Sequence, residues 1–270
     1  MLPASIEHAT AADFPKAARL LFADAARAAR CVEMLASGEF DADGLFVART
    51  DRVCGAVLVQ PLGGGLGLAW PPGATSHVVE DALLAAALGW LRGRGVTACQ
   101  AFADADELPA FAPLRRHGFK HVTQLVQMRR DADPLPPSES RLAFSQEADF
   151  ARVFFATHAG SLDCPELNAA RTGVPHFTRA FVARYRGEAV GVVALDAGPA
   201  GWELAYLGLI PSARGRGFGG ELVRHAVGEC DAPLSLSVDA RNEPALRLYR
   251  RHGFGEVGRR EAFLAVWPAE

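Results

Sequence analysis

The chain has 270 residues, more than the ~100–150 of a typical single domain, so two domains are expected. Half of the residues are hydrophobic, which is enough for ordinary cores. The 28 basic and 31 acidic side chains leave a formal net charge of −3, so no overall positive field would attract nucleic acid. Nucleic acid is therefore excluded as a general partner.

Membrane insertion, secretion and metal binding leave no sign in the sequence. The longest apolar run, at residues 82–91, is about half of the ~20 residues that a membrane-spanning helix needs. Glu7 and His8 interrupt the start of the chain, so no secretory signal is visible. The five cysteines are widely spaced, without Cys-x-x-Cys or a histidine pair at zinc spacing. We expect a cytoplasmic protein with no membrane partner and no metal, whose cysteines are small buried residues.

The first half of the chain combines helical and strand patterns. Hydrophobic periodicity predicts helices and strands in the order helix 14–27, strands 45–49, 53–59 and 66–70, helix 78–91 and strand 121–128. Three prolines then interrupt residues 131–140, where they remove backbone donors and oppose helix or central strand. These prolines predict a linker at 132–140 between a domain of residues 1–131 and a domain of residues 141–270.

The second half predicts the order β-α-β-β-β-α-β-α-β, which is a mixed α/β fold. After a short strand near 142–144, the pattern favours helix 149–158 and an irregular stretch to His176. The remaining elements are strands 181–185, 188–195 and 202–210, a helix to about 229, strand 234–238, helix 243–252 and strand 263–266.

Short matches between the halves recur in order at an almost constant offset. Ala-Asp-Phe at 12–14 returns at 148–150, 136 residues later. Gly55, inside an apolar strand pattern, corresponds to Gly191 at the same offset. Arg-Arg-His-Gly-Phe at 115–119 returns at 250–254, displaced by 135 residues. These matches predict a duplicated domain.

Residues 209–220 read Leu-Ile-Pro-Ser-Ala-Arg-Gly-Arg-Gly-Phe-Gly-Gly, between a predicted strand and a predicted helix. Successive glycines allow backbone N–H groups to converge at a helix amino terminus, which suits a pyrophosphate, and Arg214 and Arg216 add fixed charge. The alternatives are a plain glycine-rich connector and a G-x-G-x-x-G dinucleotide fingerprint with Asp239. Only 50 residues follow Gly220, too few for a doubly wound domain, and no Walker-type Lys-Ser or Lys-Thr follows the glycines.

A second motif, at 242–254, decides between these interpretations. Asn242, Ala245, Leu248-Tyr249 and Gly253-Phe254, together with Arg214-x-x-Gly217-x-Gly219, resemble the GNAT superfamily of N-acetyltransferases. The resemblance covers residues ~140 to 267 and is fainter in the first half. It implies two tandem GNAT-like domains with mixed sheets, with acetyl-CoA as co-substrate.

The resemblance also implies which residues bind coenzyme A. Backbone amides of residues 214–219 would hold the pyrophosphate, and the strand end at Leu209 would pair with the pantetheine arm and polarise the acetyl carbonyl. Asn242 would contact the pantetheine. The predicted cofactor-binding residues are Leu209, Arg214, Gly215, Arg216, Gly217, Phe218, Gly219, Gly220 and Asn242.

The expected chemistry needs a base and an acid. An amine acceptor is mostly protonated at neutral pH and must lose a proton before it attacks the thioester. Glu203, on the strand before the glycine-rich turn, is the candidate base, and a strand Glu that faces solvent is the alternative. The reaction expels a thiolate whose thiol has a reference pKa of ~8.5, against ~10 for tyrosine. The resemblance implies that Tyr249 lies near the sulfur, where it is the candidate general acid. His117 and His252 precede Gly-Phe in both halves and are assigned to the fold.

The first half departs from the binding motif at each decisive position. Residues 70–77 carry two prolines in place of Arg-x-x-Gly-x-Gly, and Leu114 stands at the tyrosine position. We therefore predict a degenerate first domain that does not bind coenzyme A productively. The whole chain is predicted to be an N-acetyltransferase acting on a small-molecule, peptide or protein amine, with a non-catalytic acyl-CoA-sensing or interaction module as the alternative.

Overall fold

The computed structural model describes residues 4–133, 135–136, 139–146, 148–198 and 201–267. These residues form two compact units. Unit 1 takes the described residues of Met1–Val122, Ala170–Thr172 and Glu261–Glu270. Unit 2 takes those of Thr123–Ala169 and Gly173–Arg260.

The first part of the chain alternates helices and short strands. Its elements are β1 (Ser5–His8), α1 (Phe14–Leu21), α2 (Ala25–Ser37), β2 (Leu45–Arg49), β3 (Val53–Pro61), β4 (Leu66–Ala69), β5 (Gly73–Ala74), α3 (His77–Gly93), β6 (Ala98–Ala103) and α4 (Ala112–Arg116). Short 3-10 helices lie at Ala11–Asp13, Ala42–Gly44 and Ala105–Phe111.

The second part has longer strands. Its elements are β7 (Lys120–Arg130), β8 (Ala143–Ser145), α5 (Phe150–His158), α6 (Pro165–Ala170), β9 (Arg179–Tyr185), β10 (Glu188–Gly198), β11 (Gly201–Leu209), a 3-10 helix at Pro211–Ala213, α7 (Phe218–Gly228), β12 (Leu234–Asp239), α8 (Glu243–Arg251) and β13 (Gly255–Val266).

The sheet of unit 1 runs in the order β1-β2-β3-β4-β6 and continues with residues 261–266 of β13. Its pairs are antiparallel except β4 with β6. The predicted single helix at 14–27 is wrong, because non-helical residues separate α1 from α2. There Asp24 Oδ1 accepts a hydrogen bond from the Arg27 backbone N–H at 2.7 Å and caps the new helix.

The sheet of unit 2 runs in the order β7-β12-β11-β10-β9-β8. Within the described residues, β11 and β12 pair in parallel and the other neighbouring strands of this sheet pair antiparallel. Apolar residues of α7 and α8, among them Phe218, Leu222 and Leu246, form a core with one face of this sheet. Phe150, Val153 and Phe154 of α5 form a second core with Val192 and Ala194 on the other face. The predicted mixed α/β class is confirmed.

The last strand of each half of the chain pairs with a strand from the other half. Residues 125–130 of β7 pair with β12 in unit 2, and residues 261–266 of β13 pair with β6 in unit 1. The predicted limits, 1–131 and 141–270, follow chain order and place these strands differently. Sequence patterns identify a strand but not its partner, because pairing is a long-range contact.

Other details refine the predicted elements. The irregular stretch before His176 contains the short helix α6. All five cysteines are free, but only Cys31 and Cys99 are fully buried. Burial raises the pKa of Cys31 to about 11, so this thiol stays protonated at neutral pH. Within the described part of the chain, no helix is long and apolar enough to cross a membrane.

Candidate active site

One large cavity of about 970 Å³ lies in unit 2. Its walls come from the end of β11, the glycine-rich turn, the first turns of α7 and one face of α8. The loop after α5 adds residues 160–163. Eight predicted site residues line it: Leu209, Arg214, Gly215, Gly217, Gly219, Gly220, Asn242 and Tyr249.

The cavity begins where two parallel strands separate. Pairing between β11 and β12 is limited to Trp202 with Leu234 and Glu203 with Ser235, although β11 continues to Leu209. Beyond Ser235, the residue that pairs with Glu203, β12 pairs with β7 on its other edge. The later residues of β11 therefore present a strand edge without β12 as its partner. Such an edge can accept an extended ligand that carries amide groups.

The glycine-rich turn adopts a backbone that requires glycine. Gly215 has φ +74° and Gly217 has φ +83°, both in the left-handed region that side chains disfavour. Gly217 is the residue immediately before α7, which starts at Phe218. The turn therefore ends at the amino terminus of an 11-residue helix, where free backbone N–H groups favour an anion.

Two arginines brace this turn: Arg214 within it and Arg141 from outside. Arg214 donates from its guanidinium to the carbonyl oxygens of Leu209 (3.2 Å), Gly160 (2.9 Å) and Thr157 (2.8 Å). Arg141 binds Glu221 and donates to the carbonyl oxygen of Arg216 at 3.1 Å. The side chain of Arg214 thus ties α5 and β11 to the turn, and its hydrogen-bonding groups are largely occupied by these carbonyls.

Arg216 and Phe218 do not line the cavity with the other predicted residues. The guanidinium of Arg216 lies 5.2 Å from the centre of the Tyr185 ring and 4.9 Å from that of Phe218. Phe218 is 1% exposed and belongs to the core under α7. Phe218 can therefore offer only its backbone to the predicted pyrophosphate contact, whereas the side chain of Arg216 is exposed beside the two rings.

Asn242 and Tyr249 are held by α8. The Asn242 side-chain oxygen accepts a hydrogen bond from the Ala245 backbone N–H at 3.3 Å and caps the helix. Tyr249 is 7% exposed and packs 5.7 Å from the ring of Phe254. Burial raises the pKa of Tyr249 above its ordinary range, and the nearby Asp163 carboxylate and Tyr206 raise it further. The phenol therefore keeps its proton throughout the neutral range.

Glu203 lies outside the cavity lining. It faces Asp196 on β10, two residues after the Ala194 that faces Tyr206, so Glu203 and Tyr206 share one face of the sheet. Although the residue is exposed overall, partial burial of its carboxyl raises the pKa of Glu203, and Asp196 adds repulsion. This carboxyl therefore does not contact the cavity directly.

Sequence reasoning missed Asp163, Tyr206 and Thr157, which line the cavity. Tyr206 and Thr157 share a hydrogen bond of 2.7 Å between their hydroxyl groups. Asp163 lies in the stretch without a readable motif. Its Oδ1 accepts a hydrogen bond from the Asp239 backbone N–H at 3.0 Å, a long-range contact that no local pattern indicates.

A buried carboxylate fixes the loop that carries Asp163. Asp239 is fully buried and accepts hydrogen bonds from Thr123 Oγ1 (2.6 Å), the Cys164 backbone N–H (3.1 Å) and the Arg241 side chain. Arg241 also binds both oxygens of Glu166 at 2.8 Å. Burial would raise the pKa of Asp239, but the hydrogen bonds from Arg241 and Thr123 outweigh it and hold the pKa low. Asp239 is therefore a structural anion, not a ribose-binding group.

Residues 145–254 match the model of the family described as Acetyltransferase (GNAT) family. A mycothiol acetyltransferase of Mycolicibacterium gilvum is 28% identical over 240 residues, which cover 74% of this chain and 73% of that protein. A second, from a Mycobacterium species (strain JLS), is 31% identical over 206 residues, covering 64% of this chain and 66% of that protein.

Among solved structures, a GCN5-related N-acetyltransferase from Sphaerobacter thermophilus superposes with a TM-score of 0.62 at 16% identity. The match covers 100% of this chain and 98% of that chain. At this identity the match establishes the fold alone.

The fold, the split strand pair and these matches define the chain as an acyltransferase. Its match to the GNAT acetyltransferase family model spans 145–254, less than half of the chain. The predicted GNAT-type fold is confirmed, with helices on both faces of the mixed sheet in unit 2.

Proposed function

We propose that the protein transfers the acetyl group of acetyl-CoA to a primary amine by direct attack in a ternary complex. The observation that carries this proposal is the cavity at the split between β11 and β12, which joins the glycine-rich turn to Tyr249. An extended pantetheine arm fits a free strand edge, and its pyrophosphate fits the amino terminus of α7.

The proposed binding roles use mostly backbone groups. Amides of residues 214–219 hold the pyrophosphate, with Gly220 beside them. Leu209 pairs with the pantetheine and polarises the acetyl carbonyl, and Asn242 contacts the pantetheine from α8. Bracing of the turn by Arg141 and Arg214 supports these roles, because a rigid turn loses little entropy on binding.

The proposed chemistry needs a base at the acceptor nitrogen and a hydrogen-bond donor at the leaving sulfur. Glu203, through water, takes the proton of the acceptor ammonium, and its raised pKa brings it nearer to the working pH of a base. The amine nitrogen then attacks the thioester carbonyl carbon, an amide bond forms as the nitrogen gives up its second proton to solvent, and the C–S bond breaks to release the thiolate. Tyr249 donates a hydrogen bond to the departing sulfur. Because a thiolate is a weaker base than a phenolate, this hydrogen bond contributes more than complete proton transfer.

An acceptor screen tests the proposed activity. Free thiol release from acetyl-CoA should depend on one class of amine and should yield the N-acetylated product in equal amount. The panel includes small amines, amino acids, amino sugars and peptide amino termini. It also includes a mycothiol-type amine, since the two relatives described above are mycothiol acetyltransferases. Acetyl-CoA binding without any modified acceptor would favour the alternative, a non-catalytic acyl-CoA-sensing module.

We also propose that unit 1 does not bind coenzyme A. Its parallel strands β4 and β6 stay paired at Leu66, Gly67 and Leu68, so no comparable split opens. A Cβ placed on Gly73 would lie 1.8 Å from the Leu20 carbonyl oxygen, so the segment after β4 packs directly on α1. The expected result of calorimetry is one acetyl-CoA bound per chain. Two tight sites per chain would contradict it.

A further inference from the structure

Basic side chains from two helices converge at the rim of the unit 2 cavity. Along α8 and its C-cap His252, the cavity-lining residues recur at three- and four-residue spacing and share one helix face: Pro244, Arg247, Leu248, Arg251 and His252. On α7, Gly220 and Arg224 are four residues apart and also line the cavity. If the glycine-rich turn binds the pyrophosphate, the arginines on α7 and α8 still have no assigned ligand.

The two helices meet closely at this rim. A Cβ on Gly219 would lie 3.1 Å from Leu248 Cδ2, and one on Gly220 would lie 3.3 Å from His252 Nε2. His252 donates from Nδ1 to the Leu248 carbonyl oxygen at 2.8 Å, which fixes its ring against α7. The end of α8 therefore places Arg251 beside the first turns of α7.

The charges at this rim are unequally neutralised. Glu221 is bound by Arg141, and Arg247 lies 3.6 Å from Glu243 on its own helix. Arg224 donates to the carbonyl oxygen of Pro136 at 3.2 Å, and Arg251 is exposed. Among the residues that the structure describes, neither Arg224 nor Arg251 has a carboxylate partner. Two guanidinium groups thus retain positive charge next to the proposed pyrophosphate site.

We propose that Arg224 and Arg251 bind the 3′-phosphate of coenzyme A, an inference that rests on the proposed function. After the turn amides have accounted for the pyrophosphate, the remaining anion of the cofactor is this monoester, with a charge of about −1.5 to −2 at neutral pH. Guanidinium groups match phosphate oxygens in geometry as well as charge. The subsite would make the enzyme distinguish coenzyme A from its 3′-dephospho form.

Titration calorimetry with acetyl-CoA and with acetyl-3′-dephospho-CoA tests the subsite. The wild type should bind the dephospho form at least about tenfold more weakly. Arg251→Ala and Arg224→Ala should each weaken acetyl-CoA binding by about tenfold and leave the affinity for the dephospho form unchanged, since one charge-assisted contact of this kind is worth about one decade in Kd. Arg251→Gln should repeat the result with more of the side chain retained.

Arg250→Ala is the matched control. It removes the same charge from the same helix, but Arg250 lies 3.9 Å from Glu256 and does not line the cavity. Its affinities for both nucleotides should equal those of the wild type. Equal weakening of both nucleotides by Arg251→Ala would overturn the subsite while the proposed function stands. Failure of the wild type to bind either nucleotide would overturn both.

Discussion

Replacement of Tyr249 by Phe should lower kcat by about 100-fold and leave the affinity for acetyl-CoA nearly unchanged. The expected loss follows from the removal of a positioned proton donor, which typically contributes about 10²–10⁴-fold. The raised pKa of Tyr249 adds a pH signature, because the phenol stays protonated well above neutral pH. Wild-type kcat should therefore show no decline from Tyr249 ionisation up to about pH 10, and the variant should be slower by the same factor across that range.

Tyr185→Phe is the control for this measurement. Tyr185 lies on β9 beside Phe218, and it does not line the cavity. It loses the same hydroxyl group and should keep wild-type kcat. Steady-state rates and acetyl-CoA titrations of both variants provide the comparison. An unchanged kcat for Tyr249→Phe across pH would remove the tyrosine from the chemistry.

Gly217→Glu should weaken acetyl-CoA binding by at least about 100-fold, or about 2.7 kcal/mol. Two effects combine: a carboxylate would lie at the proposed pyrophosphate site, and a non-glycine residue would be strained at φ +83°. A Cβ there would also lie 3.3 Å from Arg141 Nη2, one of the groups that brace the turn. Titration with acetyl-CoA measures the affinity, and thermal unfolding measures the part due to strain.

Gly187→Glu separates strain from binding. Gly187 has φ +86° in the turn between β9 and β10, and a Cβ added there would meet no atom within 4 Å. The residue also lies outside the cavity lining. The control should share the backbone strain of ~1–2 kcal/mol but keep wild-type affinity for acetyl-CoA. If Gly217→Glu also kept that affinity, the turn would not be the pyrophosphate site.

Local sequence signals predict most elements of unit 2. The signals that predict a strand at 188–195 and a helix at 243–252 act within a few residues, and both elements appear nearly as expected. The single helix expected at 14–27 is wrong for a related reason. Its apolar period continues through Phe22, but α1 ends at Leu21 and Asp24 caps the start of a new helix.

The cavity residues show where local signals end. Tyr249 and the glycine-rich turn carry recognisable spacing, and the structure lines one cavity with both of them. Glu203 is a candidate because of its distance along the chain from the turn, whereas Asp163 and Glu221 are the carboxylate residues that line the cavity. Asp163 is positioned by a hydrogen bond to Asp239, 76 residues away, so its place depends on contacts that a linear pattern does not contain.

Short-range signals in the sequence are sufficient for the mixed α/β class, the glycine-rich turn before α7 and the tyrosine on α8. These features depend on periodicity, glycine conformations and helix capping, which act over a few residues. Long-range packing, in contrast, sets where β11 separates from β12, and in which unit the last strand of each half pairs. Strand pairing joins residues far apart in the chain, and many registers satisfy the same alternating pattern until the whole core selects one.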